Sequence, residues 1–410
     1  MMERKNNLVV QGVISKEEFT QNWLQVLTEF LSGSKGFYIL LLLSGLIVFI
    51  SAMFGVNAMY IGYSHVYGIY REIPWGILIS GYVFFVVIST GLSIISSIGH
   101  VFGVKSLIPI GKRAIYLSIV TLFAGFMVIF FDVENPFRMA IWNALSPNLT
   151  SNIWWMGTLY SISLIFMIFE FLLILLSKHR YATIFGFLTL ISKVLAISNL
   201  GAVFGMLYGR DFWYGPFIPI YLIASAISSG CTALIFFTYL GYRIRNERLD
   251  KSMELALQVV GKIWALSLAI LTFIVFWKII TGLVGSEAQR LAIRELMFGK
   301  YAPNFWFFEI FLGLITPFFL LFVSKFRNIN QMFAASLLSF IGIFFMRVDM
   351  VVIGQIVSHF FEYNVTDFPV ILTYKPTMHE IMLIIGACAF CVFSFLIGEK
   401  VFKGHHTEIH

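Results

Sequence analysis

The ionisable side chains that fall inside long apolar runs are few: His100, Asp132, Glu170, Lys193, Lys262, Lys278, Glu309, Arg347 and Asp349. In hydrocarbon each costs roughly 3 kcal/mol on insertion scales, so each marks a ligand, a proton relay or a pairing partner. An imidazole, carboxylates and an ammonium are the groups that proton transfer uses. In "SSIGHVFGVK", residues 96–105, His100 closes an apolar run just before its first lysine. It could ligate a haem, carry a proton, contact a ligand or mark the end of a helix.

The haem reading needs histidines in facing pairs deep in the helices. His65, His179, His359 and His379 fall in loops or at run ends, and His405, His406 and His410 lie in the tail. Only His100 is embedded, which argues against haem. Cys231, Cys388 and Cys391 are the three cysteines, and an iron–sulfur cluster normally needs four. Cys388 and Cys391 lie in an apolar run and read as small residues at helix contacts.

The elements that position these groups follow from composition. The chain is 59% hydrophobic and 12% charged, whereas a soluble domain holds about 25% charged residues. With apolar runs long enough to span a bilayer, this is an all-α integral membrane protein. About ten spans are expected, at 37–62, 75–101, 113–132, 153–176, 182–208, 216–241, 257–281, 303–324, 331–354 and 379–400. Spans 2–5 and 6–9 read as two four-helix bundles, with the first and last spans flanking them. The corresponding segments are a tail 1–36, a first span with its loop 37–74, a first bundle 75–215, a second bundle 216–378, and a last span with tail 379–410.

The inter-span loops alternate in charge. Those following even-numbered spans, with the two tails, carry 17 basic residues, among them Lys105, Lys112, Arg113, Arg243, Arg245 and Lys325. The opposite loops carry seven, including Arg71, Arg138 and Arg210. The positive-inside rule then places both termini in the cytoplasm of a cytoplasmic (inner) membrane protein. The net charge of +7 belongs to this topology, since no basic run is interleaved with aromatics to suit nucleic acid. Within the N-terminal tail, "SKEEFTQNWLQVLTEF" opens with a capping box, Ser15 and Glu18, and sets Phe19, Trp23, Val26, Leu27 and Phe30 on one helical face. It reads as an amphipathic helix on the membrane surface or against a partner.

On this topology His100 lies towards the inner end of span two and Asp132 at the outer end of span three. Glu170 lies in the inner half of span four and Lys193 near mid-depth of span five. They form a ladder, His100–Glu170–Lys193–Asp132, unless Glu170 and Lys193 are a packed ion pair. Lys262 and Lys278 are near span ends and can snorkel. Arg347 and Asp349, two apart, lie on different helical faces. "STGLSIISSIGHVFGVKS" in span two resembles "SSGCTALIFFTYLGYRIR" in span six, aligning Gly91 with Gly230 as a parallel repeat of the two bundles. The outer loops, "REIPWG", "ENPFRMAIWNALSPNLTSNIWWMG", "GRDFWYGPFIP" and "YKPTMHE", are rich in Trp, Tyr, Pro and Asn. They suit an interfacial belt or a docking face, and the third inter-span loop has room for a short helix.

Pro74-Trp75-Gly76 opening span two, "FDVENPFRM" with Asp132, Pro136 and Arg138, and "WYGPFIPIYLIASAISSG" leading into span six resemble the NrfD/PsrC-like family. The resemblance covers about residues 70–380, and ten spans resemble the subgroup serving hydrogenase, menaquinone reductase and sulfite-reduction-associated complexes. It implies a haem-free, cluster-free membrane subunit of a respiratory oxidoreductase that binds menaquinone or another quinone near the outer face. Trp75, Asp132 and Arg138 would contact the quinone, with His100 in the same bundle. His100, Glu170 and Lys193 would carry protons between cytoplasm and pocket. The implied partners are an extracytoplasmic ferredoxin-like iron–sulfur subunit and a further catalytic or cytochrome subunit. The sequence departs from the family at "Val133-Glu134-Asn135" before Pro136 and at Ala196, where many members carry histidine. A secondary transporter or ion-translocating subunit without redox chemistry is the alternative, although the prolines cluster at span ends. A plain membrane anchor is the third.

Overall fold

Apolar runs in hydrocarbon cannot leave backbone amides unpaired, so each closes its hydrogen bonds within itself as a helix. A computed structural model describes residues 34–359, 363, 365 and 369–402. Among these residues ten helices of 20 to 34 residues are long and apolar enough to cross a membrane. The amphipathic segment expected near residues 15–30 lies outside the described residues.

In chain order the helices are α1 (Lys35–Ile61), α2 (Tyr63–Val66), α3 (Ile77–His100), α4 (Ile108–Asp132), α5 (Pro136–Leu145), α6 (Asn152–Leu175) and α7 (His179–Gly205). They continue with α8 (Phe217–Arg245), α9 (Lys251–Val284), α10 (Glu287–Phe298), a π-helix α11 (Asn304–Ile315) running into α12 (Thr316–Val323), α13 (Ile329–Ile356) and α14 (Met378–Phe402). The short α5 fills the third inter-span loop, as its length suggested. An even number of crossings leaves Lys35 and Phe402 at one end of the molecule, the basic end. The opposite, aromatic end carries α2, α5, α10 and the Trp-rich loops.

α3, α4, α6 and α7 pack as one four-helix bundle, and α8, α9, α11–α12 and α13 as a second. α1 and α14 pair along the flank beside α4. The two bundles meet where α3 crosses α8, and these are the most buried spans. Gly91 and Gly230, the pair aligned by the internal repeat, touch at this crossing. A Cβ on Gly230 would lie 2.7 Å from Gly91 Cα and 2.6 Å from Leu92 N, and one on Gly91 would overlap the Ala226 carbonyl. Only glycine lets the backbones approach this closely, the small-residue logic of membrane helix contacts.

The third span begins earlier than expected, at Ile108, with Pro109 in its first turn, where a missing N–H costs nothing. This draws Arg113 from the loop into the helix. Arg113 holds Glu399 of α14 in a bidentate pair, at 2.8 and 3.0 Å, and Arg245 adds a bond of 2.6 Å to the same carboxylate. Arg113 is 2% exposed and Glu399 7%. Two arginines read from sequence as loop charges thus form a buried triad that ties α4, α8 and α14 together at the basic end.

Candidate functional site

At the aromatic end the Pro74-Trp75-Gly76 turn leads into α3 without a side-chain cap, so its orphan amides must find partners elsewhere. Trp75 N–H donates to Gln355 Oε1 at 3.1 Å, and Gln355 Nε2 returns a bond to the Trp75 carbonyl at 2.9 Å. Ile77 N–H donates to the Tyr374 hydroxyl at 2.9 Å, which in turn donates to Glu380 Oε1 at 2.6 Å. Glu380 also accepts from Gly68 N–H and Thr377 N–H, at 2.9 and 2.8 Å. Arg210 completes the knot by donating to the carbonyls of Gln355, Val357 and Glu72. The start of α3 is thereby fixed to the ends of α13 and α14. The Trp75 ring packs edge-on against Phe204, 5.2 Å between centroids, and lies 5.3 Å from Trp213.

Asp132, at the end of α4, faces a different wall of this knot. The Tyr67 hydroxyl donates to the neighbouring Phe131 carbonyl at 2.7 Å, and Tyr63 stacks on Tyr67 at 5.2 Å. Burial, then the Tyr63, Asp132 and Glu380 groups, push the Tyr67 phenol well above its usual value. Burial and the charges of Asp132 and Glu134 also raise Tyr63. Both phenols therefore stay protonated, hydrogen-bond-donating groups. The buried Tyr63 hydroxyl has no partner. Between α1, α4 and α14, beside Phe131, lies a cavity of about 20 Å³ lined by Ser51, Met127, Leu383 and Gly386, room for one water. Arg138, on α5, is exposed, and the ion pairs among the described residues do not include it with Asp132.

Deeper in the first bundle, Lys193 is fully buried. Its ammonium donates to Ser89 Oγ at 2.7 Å and lies 5.5 Å from the Tyr160 ring. Ser89 Oγ donates to the Ser118 carbonyl at 2.6 Å, so α3, α4 and α7 share one polar crossing. Glu170, also fully buried, sits lower. Its Oε1 would lie 3.0 Å from a Cβ on Gly186, which would also touch Val101 at 3.1 Å. Gly186 is seven residues from Lys193 on α7, about 10 Å at ~1.5 Å per residue, and no ion pair joins the two among the described residues. The packed-pair alternative therefore does not describe them. Glu170 faces the Thr189 hydroxyl, and both groups are buried away from any further protein partner.

His100 ends α3, against Gly111, and its Nε2 is buried without a partner. Ser89, Ser93, Ser97 and His100 lie at helical spacing on one side of α3, and the hydroxyls of Ser93 and Ser97 are likewise buried and unpartnered. The stripe spans about 16 Å of helix. A buried polar group without a protein partner is the normal site of an internal water. Lys193 thus lies at one level of the bundle and Glu170 and His100 nearer the basic end, with the Ser93 and Ser97 hydroxyls of α3 at intermediate depth. Asp132 stands about 21 Å along α4 from Ser118.

The family description "Polysulphide reductase, NrfD" matches residues 65–358, which contain Trp75, Gln355, Arg210, Asp132, Glu170, Lys193 and His100. The chain belongs to the NrfD family. It is 22% identical over 384 residues to a selenate reductase subunit of Mesobacillus selenatarsenatis, covering 82% of this chain and 88% of that protein. It is 24% identical over 350 residues to the Hdr-like menaquinol oxidoreductase integral membrane subunit of Archaeoglobus fulgidus, covering 82% and 86%.

In this NrfD-family chain two organising residues are hidden from a reading of the sequence. Glu380 opens span ten and reads as a loop residue, yet it is 1% exposed and accepts four hydrogen bonds. Its signal is present in "YKPTMHE", where Thr377 precedes Glu380 at capping-box spacing. Arg210 reads as a loop charge and instead serves three carbonyls. Lys278 differs in the opposite sense: it does not snorkel but turns inward, with its ammonium 4.2 Å from the Phe212 ring.

Proposed function

We propose that this chain is the quinone-interacting membrane subunit of a respiratory oxidoreductase complex. It would exchange electrons between menaquinone and an iron–sulfur subunit docked on the aromatic end, which faces out of the cytoplasm, with both termini inside. The observation that carries this reading is the group of protonated phenols beside Asp132 at that end of the first bundle, with the Tyr63 hydroxyl buried and unpartnered. A quinone carbonyl needs hydrogen-bond donors in an apolar slot, and Tyr63 and Asp132 would offer that chemistry next to Phe131, which lines the small cavity between α1, α4 and α14. The cavity now present is water-sized, so the headgroup would enter by parting α1 from Phe131, which lies against Gly55.

When bound, the quinone supplies two-electron, two-proton redox chemistry. The chain's own work is to hold the headgroup and to move protons to it. Asp132 would exchange a proton at the pocket, and the His100–Glu170 tier, the Ser97–Ser93 hydroxyls and Lys193 would supply protons from the basic end. Trp75 would serve this site through the knot rather than by contact, because its ring packs on Phe204 and Trp213. Arg138, exposed on α5, would meet a quinone or a partner only from the surface.

The test is purification of the native complex in mild detergent, with quinone extraction, partner identification by mass spectrometry and quinol turnover in Asp132→Asn and Glu170→Gln. The expected result is bound quinone, a cluster-bearing partner and an intact complex with sharply reduced turnover in both variants. A lone chain without quinone at near-native lipid content would instead indicate a transporter.

A further inference from the structure

Charges are also buried in the second bundle, near the aromatic end. α13 carries Arg347 and Asp349, 0% and 2% exposed, and α11 carries Glu309, 6% exposed. The Glu309 and Asp349 carboxyl groups lie within hydrogen-bonding reach of each other. Asn304 Nδ2 donates to Asp349 Oδ1 at 3.4 Å. Arg347 Nη2 donates to Ser225 Oγ at 2.7 Å, and its guanidinium lies 5.4 Å from the Tyr221 ring. Lys278 of α9 lies 5.8 Å from the same ring. Asp349 Oδ2 is buried and receives no N–H from the protein, and Arg347 Nε and Nη1 are buried without an acceptor.

The cluster has a route outward. A cavity of about 570 Å³ at the aromatic end is lined by Tyr208, Arg210, Asp211, Phe212, Ile353 and His359. Phe212 both lines it and covers the Lys278 ammonium, and Ile353 lies one helical turn above Asp349. Two ionised carboxylates at this separation repel, and one shared proton turns the repulsion into a hydrogen bond. A hard metal cation would want about six oxygen ligands. Here it would find two carboxylates and an amide, with Lys278 and Arg347 facing the same carboxyls.

We propose that the second bundle holds a buried proton-binding site, the Glu309–Asp349 carboxyl pair set between Lys278 and Arg347, exchanging with the aqueous side through the cavity above Phe212. Tyr221 faces the cluster from α8, Lys278 from α9, Tyr301 from the turn before α11 and Arg347 from α13 itself. Among the described residues, no charge acting on either carboxyl comes from α3 or α10, which also pack on α13. The site is separate from the first bundle and does not depend on the quinone reading.

The test is infrared difference spectroscopy of the full-length chain in lipid nanodiscs, with pH steps at constant salt and exchange into D2O. The expected result is a carbonyl stretch of a protonated carboxylic acid that shifts in D2O. It should vanish or shift in both Glu309→Gln and Asp349→Asn and persist in Glu170→Gln. An unaltered band in either of the first two variants overturns the shared-proton pair. A band that responds to sodium at fixed pH overturns it in favour of a metal-ion site. Phe212→Ala keeps both acids, so it tests the route even where the acid variants fail to fold. It should speed D2O exchange of the band severalfold, and an unchanged rate overturns the route.

Discussion

Lys193→Met separates two roles that a buried charge can have. Lys193 Nζ donates a hydrogen bond to Ser89 Oγ at 2.7 Å, worth about 1.5–3 kcal/mol in the charged state. The desolvated contact with Tyr160 at 5.5 Å adds about 2 kcal/mol. Against these stands the cost of holding an ammonium out of water, several kcal/mol even after relaxation. The terms cancel to within about 2 kcal/mol. Methionine fills the volume of the lysine stem, and Ser89 keeps its 2.6 Å bond to the Ser118 carbonyl. The folded complex should therefore melt close to the parent temperature. Quinol turnover should nonetheless fall by about 10²-fold, the low end for a positioned acid–base group. Both quantities are read on one preparation, by thermal melting of the detergent-solubilised complex and by quinol oxidation. A loss near 3–5 kcal/mol, the cost of breaking a buried ion pair, would make Lys193 a structural residue. Parent-level turnover would remove it from the proton route.

Glu399→Ala should behave in the opposite way. It leaves Arg113, 2% exposed, without its carboxylate, so stability should drop by about 3–5 kcal/mol, seen as early loss of the monodisperse chromatographic peak on heating. Gly91→Ala drives a methyl group into the Ala226 carbonyl and Gly230 N and should cost about 1–3 kcal/mol in the same assay, while Gly103→Ala, with nothing within 4 Å but a positive φ of 72°, should cost no more than its local strain. The Tyr67 phenol, raised in the fold mainly by burial, contributes stability that is fully present below its unfolded value near ~10. That stability is lost as pH rises above it, so Tyr67→Phe should weaken the dependence of melting temperature on pH in alkaline buffer. An equal slope in parent and variant would contradict the burial of Tyr67.

What the sequence reveals of this fold divides along one physical line. A span is a local property of about 20 residues, and its register against other helices is not. Hydropathy therefore locates all ten spans, whereas the crossing of α3 and α8 at Gly91 and Gly230, which the sequence marks only as equivalent positions of a repeat, is a matter of register between helices. Charges at span ends defeat the same reasoning. Arg113, Glu380 and Glu399 sit within a turn or two of helix termini, where a window of hydropathy assigns them to water, yet partners on other helices bury them. Glu170 and Lys193 are the instructive case inside the membrane. Sequence depth sets Glu170 in the inner half of its span and Lys193 near mid-depth but leaves a direct pair open; the structure holds them about two helical turns apart, supplying Gly186 for one and Ser89 for the other. Had they paired, their charges would be explained by packing alone. Apart, Glu170 has no charged partner, only the Thr189 hydroxyl beside it, and a carboxyl retained in that state calls for water and exchangeable protons to account for it.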